Sequence, residues 1–442
     1  MRSLDLALIF FLILVVLNYR AQRSVLYPPF IFCAMWLFDL ALIRLNLIEL
    51  DPVHGNTLAI VTAGAVVFSA GGLLAGLAPR ALLRTHFHFI SPELKRTKDF
   101  LRNTLMVVVL CILPVMFYHT WLLSHSLGGS FNILMQARLA LMESIQSGEK
   151  SKVLVVAYFT LFASLSSLLF ATEKKDRQFW IVTVAALLIC ILGTGRASLL
   201  NLISGLCAIL LLQCKKESMR GAIRLLRWPL ALFVALCIGL IFTNKNTDLM
   251  AGGVTEIATF SVISYIVGPL AAFDRVVQSP ADYMSTGNYT FYFLLHMAGR
   301  LHLINYTNPP IIESFVYVPF MTNVYTVYER YFIELGITGT LVLMFFIGLL
   351  HSLLYLKAKE GGRFSVYLFA YSLYSVLMVT FVDTYNAIPG YLIAIAFGLL
   401  YFLVGSVSLR LFPANKLGIS LHKLRSKDRH TSLLDQKEEA LG

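Results

Sequence analysis

Two arginines stand where a hydrophobic chain has little reason to carry charge. Arg196 lies in "LGTGRASLL", inside the apolar run from Phe179 to Leu212, and Arg330 lies in "MTNVYTVYERYFIELGITGTLVLMFF". A guanidinium is a permanently charged, forked donor suited to phosphate oxygens. In the first turn of a helix it adds to the exposed N–H groups and partial positive charge already there. Thr194 can cap a helix that starts at Arg196, and Gly193 and Gly195 permit a tight turn before it. An arginine so placed also serves simply as an anchor, its stem along lipid and its head in the interface. Two of them at comparable positions suit a divalent, lipid-linked anion.

Arg330 is followed by Gly336 and Gly339 and surrounded by Asn323, Tyr325, Tyr328, Glu329 and Glu334. Tyrosines also collect at membrane interfaces as belt anchors, so alone they decide nothing. In "FLLHMAGRLHL", His296 and Arg300 are four residues apart, on one face of a helix, with His302 elsewhere on it. A histidine is a natural proton acceptor near neutral pH, although interfacial histidines are also ordinary. Glu329 and Glu334 compete for that role, and Glu334 lies deeper in its apolar run. Asp383 and Tyr385, in "VDTYNAIPG", are weaker candidates, and Arg275 and Arg300 are candidate helper cations.

The sequence contains no CxxC, no HExxH and neither glycine-rich nucleotide loop, so no metal and no cofactor are expected. Cys33, Cys111, Cys190, Cys207, Cys214 and Cys237 all fall within or at the end of apolar runs, where no oxidising compartment would pair them.

The elements that must position these residues are membrane helices. Of 442 residues, 58% are hydrophobic and 14% charged, and the mean hydropathy is +0.75. A soluble domain of this size could not cover so much apolar surface with so few charges. Solid apolar runs, rather than alternating ones, exclude a β-barrel. The fold class is therefore all-α and polytopic, a single integral membrane domain over residues 1–442. About eleven spans are predicted, at 4–19, 24–43, 57–78, 103–123, 151–170, 179–194, 197–214, 228–243, 331–356, 364–382 and 388–409. The first run lacks a small-residue cleavage site and reads as a span rather than a signal peptide.

With the amino terminus outside and the carboxyl terminus inside, 26 of the 36 lysines and arginines fall inside. This is the asymmetry of the positive-inside rule. Topology thus accounts for the net charge of +12. No nucleic-acid partner is implied, and the tail 411–442 reads as a cytoplasmic, membrane-surface segment. Outside, residues 131–150 have helical apolar spacing and are expected to form an interfacial amphipathic helix. The largest outside segment, 244–329, is expected to carry re-entrant or surface-lying helices that roof a cavity.

The "TGRASLL" turn, the long outside loop and "TNVYTVYERYFIELGITG" opening the next span together resemble the Wzy-type O-antigen polymerases, over about Trp180 to Gly348. The chain departs from one family pattern. Eight residues, not ten, separate Arg196 from Gly205 and Arg330 from Gly339. The resemblance implies a GT-C-like, metal-independent glycosyltransferase of the bacterial inner membrane that joins undecaprenyl-diphosphate-linked repeat units at the periplasmic face. It implies Arg196 and Arg330, helped by Arg300 or Arg275, on the leaving diphosphate, and His296, Glu329 or Glu334 as base. Asn323, Tyr325 and Tyr328 would contact substrate. Implied partners are the lipid-linked oligosaccharide, membrane lipids and a chain-length regulator. An O-antigen ligase and a flippase or secondary transporter are the alternatives; the lack of a convincing internal repeat, and the clean centres of most spans, argue against a transporter.

Overall fold

A computed structural model describes residues 2–79, 92–126, 133–146, 150–173, 177–194, 196–227, 254–280, 289–306, 315–385 and 388–411. The tail from 412 and the predicted span 228–243 lie outside the described residues. The chain is almost entirely helical: α1 (Arg2–Gln22), α2 (Pro28–Leu45), α3 (Gly55–Gly76), α4 (Pro92–His125), α5 (Ile133–Gln146), α6 (Lys150–Glu173), α7 (Arg177–Leu192), α8 (Arg196–Gln213), α9 (Val254–Gln278), α10 (Tyr292–Arg300), α11 (Glu329–Lys359), α12 (Arg363–Leu377) and α13 (Ile388–Leu411). A two-residue antiparallel hairpin, β1 (Val316–Tyr317) and β2 (Met321–Thr322), precedes α11.

Six helices among the described residues (α1, α2, α3, α4, α6 and α11) are long and apolar enough to cross a membrane. Parts of α7, α8 and α13 are shorter apolar helices. The helix ends follow local chemistry. Two prolines open α2, where missing N–H groups cost nothing, and Asn46 closes it in the left-handed conformation (φ 50°). Predicted and observed boundaries agree within a few residues for α2, α3 and α7.

The tightest seam joins α3 to α11. A methyl on Gly71 would overlap the carbonyl oxygen of Phe345, and one on Gly348 would overlap that of Phe68. In lipid, where burying apolar surface against protein gains little over burying it against acyl chains, such close backbone approach is a main source of helix association. Beside this seam Phe32 stacks on Phe68 with ring centroids 4.2 Å apart, and Trp36 is fully buried.

The bundle has a basic end. Glu173, at the end of α6, pairs with Lys98 of α4 and lies 3.8 Å from Arg363 of α12. It also accepts the Tyr401 hydroxyl of α13 at 2.6 Å. Glu217, just after α8, accepts hydroxyls from Ser24 (2.7 Å) and Tyr355 (2.6 Å), while its carbonyl accepts the Val25 N–H at 2.8 Å. These two carboxylates gather the ends of α1, α6, α8, α11 and α13 with the starts of α2, α4 and α12. Arg20, Arg23, Lys215, Lys216, Lys357 and Lys359 belong to the same end by their places on those helices.

At the opposite end Asp5 pairs with Arg44 at 2.7 Å and Asp51 with Arg275 at 2.5 Å. The predicted amphipathic helix is present as α5, with Ala137, Ala140 and Leu141 buried. The stretch 254–277, expected as a re-entrant or surface-lying helix rather than a span, is one continuous helix, α9, with Pro269 inside it. It lies across this end. Asp274 meets the α2–α3 turn, Tyr265 stacks on Phe381 beyond α12, and Phe260 packs edge-on against Phe320 of the hairpin. Its own interior side, including Val267, Leu270, Phe273 and Val276, is buried, and that burial holds the helix together through the proline.

Candidate functional site

The segment leading into α11 runs through the bundle without regular structure. Tyr325, Thr326, Val327 and Tyr328 are all buried. Irregular backbone is tolerated at such depth only where protein satisfies it. Here the Val327 N–H donates to the Val379 carbonyl at 3.0 Å, and the Tyr328 hydroxyl donates to the Val61 carbonyl at 3.2 Å. The Tyr328 ring lies 5.6 Å from Trp36 and 6.0 Å from Phe273, and Gly64 leaves room for it.

α11 begins at Glu329 and is broken at Gly336, whose φ of 65° and ψ of −172° belong to a region only glycine occupies readily. The turn before the break carries Arg330 and Glu334, one helical turn apart on the same face. Glu334 accepts the backbone N–H groups of Tyr289 and of Thr290 (2.9 Å). Arg330 lies over the Tyr289 ring, 4.1 Å from its centroid. The two side chains together hold the Tyr289–Thr290 turn that opens α10. Tyr306 belongs to the same group: burial first, then the neighbouring Tyr292, Glu334 and Tyr289, raises its phenol above the ordinary 10.0. The Thr290 hydroxyl is buried with no hydrogen-bond partner among the described residues. The result is a polar, aromatic patch with one guanidinium, at the end opposite the basic one. Such a patch can hold an anion and stack against a sugar face.

Arg196 opens α8, and only its backbone is described. Thr194, expected as a helix cap before it, instead takes a left-handed conformation (φ 54°) that closes α7. The place of Arg196 follows from the helices around it. Gln213, at the end of α8, donates to the Ala171 carbonyl at 2.7 Å, and Arg363, at the start of α12, neighbours Glu173. α8 and α12 are therefore antiparallel, and they cross where Gly205 meets the Ala370 carbonyl. The start of α8 thus lies beside the end of α12, and Val379, just past that end, bonds Val327, three residues before Arg330. Both arginines enter their helices at the same end of the bundle.

The other candidates divide. Tyr325 and Tyr328 are core residues, 3% and 0% exposed, so the structure gives them a packing place rather than a substrate-facing one. Arg275 is committed to Asp51. Arg300 is exposed in the last turn of α10, and His296, half-buried, stacks on Tyr292 at 5.5 Å. Asn323 is half-buried, and Glu329 is buried 4.0 Å from Arg330. Glu334 is a clamp on backbone donors, not a carboxylate facing open solvent. Asp383 accepts the Tyr385 N–H at 2.9 Å, and Tyr385 lies 3.3 Å from the buried His351.

Sequence reasoning passed over Tyr289, Thr290, Tyr306, His54 and Asp274. None sits in a motif, and each gains its place from a partner distant in sequence. Glu334 binds main-chain N–H groups, which any residue type presents. Comparison of the chain with known protein families, with curated proteins and with solved structures finds no match.

Proposed function

We propose that the protein polymerises undecaprenyl-diphosphate-linked oligosaccharide repeat units at the periplasmic face of the bacterial inner membrane, as a GT-C-like enzyme of about eleven spans. The basic end is then cytoplasmic and the Arg330 patch faces the periplasm. The observation that supports the reading is that the two arginine-bearing helices both start at the end opposite the basic one, where α9 packs against the α2–α3 turn and Arg330 lies over the Tyr289 turn that opens α10.

The chemistry follows from the substrate. A sugar joined to a diphosphate is already activated, so the enzyme must stabilise the negative charge that grows on the leaving lipid diphosphate. Guanidinium groups and the N–H groups of a helix start do this without a metal. One well-placed donor of this kind is worth roughly 3–4 kcal/mol of barrier. Arg330 and Arg196 take this role, and Tyr289, Tyr292 and Tyr306 offer ring faces and hydroxyls to sugars. The lipid tail enters between helices, membrane lipids surround the bundle, and a chain-length regulator is the expected protein partner.

The test is genetic. Cells lacking the protein should carry surface lipid bearing a single repeat, and cells with Arg330→Ala at normal membrane abundance should look the same. Complete loss of attached glycan would identify a ligase instead. Full-length chains with Arg330→Ala would remove Arg330 from the site.

A further inference from the structure

The α2–α3 turn and α9 together build a second feature at the same end, between residues 220 positions apart in sequence. Asp274 is buried, its side chain 5% exposed. One of its oxygens accepts the His54 backbone N–H at 2.9 Å and the Thr57 hydroxyl at 2.6 Å, which caps α3. The other oxygen lies 2.8 Å from Nδ1 of the His54 ring. A carboxylate only accepts, so Nδ1 carries the hydrogen and the lone pair of the neutral imidazole sits on Nε2. The His54 side chain is 61% exposed. Capping α3 uses one carboxylate oxygen; the second fixes the tautomer and orientation of an open imidazole. A base oriented from behind by a buried acid is the arrangement that proton-transfer catalysis uses.

The pair packs against the same helical turn as Arg330. Phe273, next to Asp274, stacks on Tyr328 at 6.0 Å and meets Phe332 edge-on at 5.8 Å. Those two residues are one turn apart on one face of the start of α11, and Arg330 lies between them in sequence on the other face. The charged groups nearest the pair in sequence on both segments, Asp51 and Arg275, neutralise each other at 2.5 Å.

We propose that His54, oriented by Asp274, is the proton acceptor for the incoming sugar hydroxyl; this rests on the glycan-polymerising reading. As the acceptor oxygen forms its bond to the anomeric carbon, the bond from that carbon to the diphosphate oxygen breaks and its electron pair leaves with the lipid diphosphate. The hydroxyl proton passes to Nε2 of His54, and the imidazolium, held against Asp274, returns it to water before the next cycle.

The experiment uses membranes containing the full chain and lipid-linked repeat units extracted from cells lacking it. His54→Ala should lower kcat at least about 100-fold with little change in KM, and imidazole in the buffer should restore part of the rate. Asp274→Asn should lower kcat and shift or flatten the acidic limb of the pH profile. A His54→Ala protein that polymerises at the normal rate overturns the proposal. So does one whose lost rate imidazole fails to restore, because that outcome leaves His54 a docking residue only. If the unaltered protein joins no repeat units in this assay, the polymerase reading itself fails and this proposal falls with it.

Discussion

Replacing Gly336 with alanine should disarrange the site by backbone strain alone. At φ 65° and ψ −172° an L-residue is in territory that costs about 1–3 kcal/mol. A methyl there would meet nothing within 4 Å, so no clash confuses the result. The strain is relieved most readily by rotating the Glu329–Leu335 turn against the rest of α11. That motion withdraws Glu334 from the Tyr289 and Thr290 N–H groups and Arg330 from the Tyr289 ring. At roughly tenfold per 1.4 kcal/mol, the intact arrangement should become about 5- to 150-fold less favoured. Gly361 supplies the control: its φ is 89°, it also opens onto empty space, and it lies in the α11–α12 turn at the basic end. Both variants should unfold earlier in detergent by comparable amounts. Only Gly336→Ala should shorten surface glycan chains. Equal glycan loss in both, or normal chains with Gly336→Ala, would refute the idea that the break aims the site.

Three further outcomes are expected. Gly64→Ala should force the Tyr328 ring out of its place, since the new methyl would overlap it, and should reduce both thermal stability and polymer length by moving Arg330; an unchanged unfolding midpoint would contradict this. Glu217→Ala leaves the hydroxyls of Ser24 and Tyr355 without their acceptor, a loss of about 2 kcal/mol readable in detergent unfolding, with glycan length unchanged per folded molecule. Tyr306 has its phenol raised above 10.0, so the unfolded chain releases that proton first; stability is intact below about pH 10 and is lost as pH climbs from there through the raised value. Tyr306→Phe should flatten that alkaline loss, measured as unfolding midpoint against pH.

Six of the predicted spans were legible because their signal is local: an apolar run long enough for a bilayer needs no partner to be recognised. α9 was legible as a helix but not as a span, because Gly268 and Pro269 interrupt its apolar pattern while burial across the bundle end keeps it continuous. Arg330 and Glu334 stood out as charges in an apolar run, and the structure does bring them to one turn of helix. Their partners did not stand out, because Glu334 engages main-chain N–H groups and Arg330 a tyrosine of unremarkable context. Tyr325 and Tyr328 show the opposite error: a tyrosine at an interface and a tyrosine in a core look alike in sequence. His54 and Asp274 were invisible for a simpler reason, since only the folded bundle brings the α2–α3 turn against α9.

The glycine seam between α3 and α11 also constrains how the chain is made. α3 is complete when residue 76 leaves the ribosome, yet the helix that fills its bare flank starts only at Glu329. During that interval the early spans wait with their smooth faces uncovered by this partner. Biogenesis, more than the finished bundle, is where a bulky residue at Gly71 or Gly348 would first be felt.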